Sequence, residues 1–214
     1  YETYTKARVD DNPIVIFNIA QDQTKAQLIT IGNNYQRSDD VLGVIYDARL
    51  KIEDPFATST LAPPRVIPNV GHAMGVWIRT TSTKGIHYIP QKDTPIFGIV
   101  GLDNDNVLGL TDVDRTDIAE AGINLIQFIQ GSGYILRNSF TPSTTTEFNF
   151  TNGLFMRNFI KVSSIDSLQV AENRPNSFNR ITNNKTGIIS FLQSLWRSGS
   201  TNSVPEGETF GQSF

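Results

Sequence analysis

Two histidines, His72 and His87, are the only side chains in the sequence whose ordinary titration lies near neutral pH. His72 falls on a predicted helix and His87 in a predicted strand, so the spacing offers neither a His-x-x-x-His pair nor a His–Glu zinc pattern. Packing or surface roles account for both. Asp103-Asn104-Asp105-Asn106 has the oxygen-rich start of a calcium loop, but the glycine and closing glutamate of that loop are missing, and a turn is expected. Gly131-Ser132-Gly133 lacks a third glycine and precedes a strand, so it cannot present helix amides to a phosphate and reads as a hairpin turn. No Gly-x-Ser-x-Gly elbow, Walker loop or nucleophile beside a local base occurs. Asn149-Phe150-Thr151 and Asn184-Lys185-Thr186 fit the glycosylation sequon and read as chance matches. No catalytic, cofactor-binding or metal-binding residue is assigned, no cofactor is expected, and the chain reads as a non-enzyme.

The elements that position these residues follow from apolar patterning. Residues 13 to 20 predict a buried strand, Thr24 to Tyr35 a helix, and Val41 to Tyr46 a second strand, an alternation that suggests an α/β layer. Proline-rich residues 54 to 68 predict an extended connector without regular structure. Asn69 is placed to cap a helix whose inward face would use Ala73, Met74, Trp77 and Thr81, with Gly85 as its end. Thr111 and Asp114 have capping-box spacing ahead of Ile118, Ala121 and a stop at Gly122. Residues 123 to 129 and 134 to 140 predict the two strands of a hairpin, residues 141 to 147 a polar loop, and Gly153 to about Ala171 a helix. Phe178, Ile181, Ile188, Leu192, Leu195 and Trp196 recur near the helical period in a last helix, with Arg197 in its final turn and Gly199 as the stop, before a loose tail. The fold class expected is α/β (α+β), a mixed β-sheet with helices packed on its faces.

Composition narrows the function. The chain has 214 residues, 38% of them apolar, with thirteen phenylalanines, enough to bury a core without metals or disulfides. Formal charge is only −3 with no clustered Lys/Arg surface, so direct nucleic-acid binding is not expected. Cysteine is absent, which excludes disulfides and thiolate metal sites within these residues. No apolar run approaches the roughly 20 residues that span a bilayer, and no membrane association is expected. The sequence starts at Tyr1 rather than methionine and reads as a piece of a longer protein.

Two stretches in order carry a family likeness. VIPNVGHAMGVWIRTTSTKGIHYIPQ, residues 66 to 91, and IAEAGINLIQFIQGSGYILRNSFT, residues 118 to 141, resemble the core of contractile tail sheath proteins. Met74 to Arg79, Lys84 to Ile86 and Pro90 carry the first match, and Glu120 to Asn124 the second. The likeness continues through residues 152 to 181 and into FLQSLWRSGS, where Phe191, Leu192, Leu195, Trp196 and Gly199 fit, and VLGVIYDARLKIEDP, residues 41 to 55, resembles an earlier family strand. It covers about three-quarters of the chain. Asn152 and Gly153 stand where the family has paired arginines, and His87-Tyr88 where it has Trp-Lys, which implies a divergent branch.

The resemblance implies an N-terminal α/β part of a sheath body in residues 1–65 and a core domain in residues 66–214 that lacks the C-terminal linking strands. It implies hexameric rings stacked helically around an inner tail tube, with baseplate and tail terminator proteins as further partners. The place implied is the virion tail, assembled in the host bacterial cytoplasm, and the isolated piece is expected to be monomeric. Sheaths of type VI secretion systems, tailocins and extracellular injection machines fit the same pattern. From another class, a tail-associated hydrolase or glycan-binding module is the alternative, because a pocket of Asp and Tyr residues need leave no local motif. Arg197 and Glu206 are candidates for subunit contacts, with a solvated surface role as the simpler reading of each.

Overall fold

The computed structural model describes residues 14–20, 23–35, 43–56, 62–90, 92–103, 109–144, 149–169 and 177–198. Trp196 and Arg197 are described in backbone only, and Gly199, Glu206 and the tail lie outside these residues. The chain divides into two compact units, Tyr1–Leu154 and Phe155–Phe214.

The first unit starts with β1 (Val15–Asn18), α1 (Lys25–Tyr35) and β2 (Gly43–Tyr46), a strand, helix and parallel strand as the alternation predicts. β2 is central and all four of its residues are buried, whereas β1 is only half-buried. The expectation of a buried strand over 13 to 20 is corrected on this point. β1 pairs on one side only, and the burial falls on Ile19 just beyond it. The third member of this parallel sheet is β6 (Ile123–Asn124), giving the order β1-β2-β6.

β3 (Leu50–Ile52) starts a second sheet, antiparallel to β4 (Arg65–Ile67) on one side and β5 (Gly101–Leu102) on the other. β4 corrects the expectation of a structureless connector. Pro64 and Pro68 flank its three residues rather than interrupting them, and an edge position tolerates that. α2 (Val70–Lys84) follows, burying Ala73, Val76, Trp77 and Thr80 at helical spacing. Met74, expected inward, is 51% exposed because it lies one position off that stripe, and Thr81 is half-buried.

α3 (Asp112–Glu120) opens with the predicted capping box, Thr111 and Asp114 each bonding the other's backbone amide. Ile118 and Ala121 are buried as expected. Gly122 turns the chain at φ +84°, and a Cβ there would stand 2.6 Å from Cα of Pro142, so backbone angle and space both require glycine. β6 then runs through the single residue Leu125 into β7 (Ile126–Ile129), which pairs antiparallel with β8 (Gly133–Leu136). The predicted seven-residue strand is therefore divided between two sheets, and β8 stops at Leu136 instead of Phe140. Of the predicted polar loop, Thr141 and Pro142 are buried, while 145 to 147 lie outside the described residues.

Ile19, Leu28, Ile45, Ile118, Ile123 and Leu125 form one core cluster, with Phe17, Ile29, Ile31 and Leu110 against it. α1 approaches closely: a Cβ on Gly32 would meet the Ala121 carbonyl oxygen at 2.3 Å.

α4 (Thr151–Gln169) starts in the first unit and continues into the second, which also holds α5 (Phe178–Ser198). Within the second unit the rings of Phe159 and Phe191 lie 6.3 Å apart. Asn184, Ile188, Phe191 and Leu195 make a half-buried stripe, while Phe178, Ile181, Ile189 and Leu192 are exposed. The result is a mixed α/β structure with three small sheets and five helices among the described residues.

Candidate functional site

The residues with chemical potential are not brought together. His72 is half-buried on α2. His87, expected in a strand, lies in a turn: Gly85 ends α2 at φ +109° and accepts a bond from the Tyr88 amide at 3.3 Å. Burial lowers the His87 pKa, favouring the neutral ring, which stacks at a tilt 4.6 Å from Tyr88. Asp103 follows β5 and lies 3.6 Å from the Lys51 ammonium, while Asn104 to Asn106 are outside the described residues. Gly131 and Ser132 form the turn of the β7–β8 hairpin, as expected, and Gly133 opens β8. The Asn149 carbonyl accepts the Thr141 amide at 2.9 Å. Among the described residues no group of three His, Cys, Asp or Glu side chains could hold a metal ion.

What the fold does concentrate is neutral polar groups around the carboxyl end of β2. Trp77 Nε1 donates to the Tyr46 hydroxyl at 2.7 Å, and burial pushes that phenol well above its ordinary pKa, so it stays protonated. Asn124 Nδ2 donates to the carbonyls of Ile45 at 3.0 Å and Phe140 at 2.7 Å, and its Oδ1 accepts the Phe140 amide at 2.6 Å. Asn18 Nδ2 donates to the Tyr46 carbonyl at 3.1 Å. Asn69 Nδ2 donates to the carbonyls of Asp47 at 3.2 Å and Ala48 at 2.6 Å. Three asparagine amides thus satisfy backbone that leaves the sheet, and amides facing carbonyls are poor nucleophiles and poor acids. The arrangement fixes the geometry of the backbone between the elements.

Sequence reasoning placed Asn69 as a helix cap and did not single out Asn18 or Tyr46. The available signal was an asparagine at the edge of each apolar run, which must find bonds when buried. A second junction is ionic: Lys25 Nζ on α1 lies 2.5 Å from Asp114 Oδ1 and 2.7 Å from Asp117 Oδ2 on α3. The Lys25 ammonium and the Thr111 donors hold the Asp114 carboxyl far below the usual carboxylate range. The outer surface carries aromatic groups, with Arg79 stacked 4.7 Å from the exposed Phe97 ring and Phe128 edge-on to Tyr134 at 5.1 Å.

At the level of sequence, no family profile and no curated protein matches the chain. Solved structures do. A chain of the anti-feeding prophage helical sheath in its contracted state matches over 94% of this chain with a TM-score of 0.70 at 16% identity. The chain has a contractile-sheath fold. A sheath complex of the extracellular contractile injection system PVC, also contracted, matches over 90% at TM-score 0.69 and 15% identity, and the 6-fold symmetrised anti-feeding prophage baseplate over 94% at 0.71 and 15%. The match covers 52%, 51% and 50% of those chains, in that order, so this sheath-fold chain spans about half their length. Of the residues that suggested the family, Met74 to Arg79 and Lys84 fall on α2, Gly85, Ile86 and Pro90 follow it, Glu120 to Asn124 make the α3–β6 corner, and Phe191, Leu192, Leu195 and Trp196 fall on α5.

Proposed function

We propose that this chain is the body of a contractile sheath subunit, which in its full-length protein polymerises as stacked hexameric rings around an inner tube and contracts to drive the tube through a host envelope. The carrying observation is the agreement of fold over nine-tenths or more of the chain with contracted sheath structures. Within the reading, residues 1–65 supply the N-terminal part of the body and 66–214 the core. The role is mechanical, not enzymatic, and the organised polar groups suit it, because they hold elements in place and offer no nucleophile. Contraction is then a switch between two packings, and a difference on the order of a few kcal/mol per subunit suffices when many switch together. Neighbouring rings, the tube protein, and baseplate and terminator proteins are the partners, with assembly in the host cytoplasm and function on the phage tail.

Two of the systems matched, the anti-feeding prophage and PVC, favour a second source for the same mechanics, an extracellular injection machine in place of a phage tail. Negative-stain electron microscopy of the full-length protein, expressed alone beside residues 1–214, tests the shared core of both. Long hollow striated tubes from the full-length protein are expected. Dispersed particles from it under every assembly condition overturn the sheath role.

A further inference from the structure

Several departures from ordinary stereochemistry meet where β2 leaves the first sheet for β3 in the second. Ala48, only 2% exposed, holds φ at +74°, the left-handed region that a Cβ disfavours. Asn69 stands at the start of α2, yet its side chain bonds none of the helix amides and its backbone lies at φ −81°, ψ −14°. A capping residue has an extended backbone instead. Thr111, at φ −72° and ψ 167°, shows that ordinary form in the same chain. The Asn69 amide reaches back to the Asp47 and Ala48 carbonyls, and its buried Oδ1 has no hydrogen-bond partner.

One side chain therefore faces two uses that exclude each other. With residue 69 helical, Nδ2 secures the two carbonyls and Oδ1 is idle. With residue 69 extended, Oδ1 would reach the amides of the first turn of α2, and the Ala48 carbonyl would lose its 2.6 Å bond and keep only the 3.5 Å bond from Asn18 Nδ2. We propose that Asn69 and Ala48 form a two-position elbow, which sets the angle between the β1-β2-β6 sheet and the β4-β3-β5 sheet. Asn18, bonded to the Tyr46 carbonyl, is its fixed side. Each position serves groups that the other does not, so the element is discrete rather than continuously deformable. The elbow is internal to the first unit and does not depend on the sheath reading.

Amide hydrogen exchange on the 214-residue chain tests it with Ala48→Gly and Asn69→Ser. Glycine removes the Cβ penalty and biases the elbow toward the observed position. Serine keeps a capping oxygen but lacks the amide and the reach to hold two carbonyls. Asn69→Ser is expected to slow exchange at Gly71 and His72 about five-fold, the ratio one cap supplies, and to speed it in β3. Ala48→Gly is expected to slow β3 and leave β1 unchanged. A uniform change at every amide in both variants, or faster exchange at Gly71 and His72 in Asn69→Ser, refutes the elbow. Should the serine variant not fold, Ala48→Gly decides alone: slowing confined to β3 and its neighbours supports the elbow, and unchanged or uniform exchange refutes it.

Discussion

At the scale of single residues, the fold depends on a few contacts with no slack. The Tyr46 hydroxyl has a fully buried position and the Trp77 indole as its donor, so Trp77→Phe leaves it unpaired. A loss of about 1–3 kcal/mol is expected in urea unfolding. Gly32→Ala meets backbone, the Ala121 carbonyl, and is expected to cost about 1–3 kcal/mol, read as a lower melting temperature by circular dichroism. The Asp114 carboxylate both accepts the Thr111 amide in the capping box of α3 and holds Lys25. Its folded pKa is depressed, so its contribution is present above the ordinary carboxylate pKa and fades as pH falls. Lys25 has a raised pKa, so its part is complete below 10.5 and fades as pH rises through the raised value. Asp114→Asn should therefore lower the urea midpoint at pH 7, and the gap from the unaltered chain should narrow as pH drops below about 5. A gap that stays constant down to acid pH contradicts this assignment.

At the scale of elements, Phe128 and Tyr134 are direct cross-strand partners on the β7–β8 hairpin, with Phe128 half exposed. Phe128→Ala is expected to cost about 0.5–1.5 kcal/mol in chemical denaturation, the worth of an aromatic pair beyond its area. Elements whose ends are written in local chemistry were legible beforehand: the Thr111 and Asp114 capping box, the stop at Gly122 and the hairpin turn all act within a few residues. What escaped depends on distant partners. Nothing local distinguishes an Asn69 that caps a helix from one that reaches to residues 47 and 48, and the apolar run 123 to 129 carries no mark at Leu125 where its pairing passes from β2 to β8. Likewise β4 exists because β3 lies beside it, which three residues between prolines do not announce. Of the candidate site, the asparagine junction was not legible, since its bonds span up to 79 residues of sequence.

At the scale of the whole molecule, the chain has the sheath fold and spans about half the length of its structural counterparts. Size-exclusion chromatography with light scattering of residues 1–214 is expected to give a monomer, and stable hexamers or polymers would count against that expectation. Exposed apolar residues such as Ile181 and Leu192 on α5 make a concentration series part of that measurement. The short bridge at Leu125 has a mechanical meaning. Along the chain, tension applied to β7 reaches the parallel sheet through the single residue Leu125, and there β6 pairs with β2 over Ile45↔Ile123 and Tyr46↔Asn124. So short a grip would yield first in shear, and the Asn124 side chain, bonded on both sides, is its rivet.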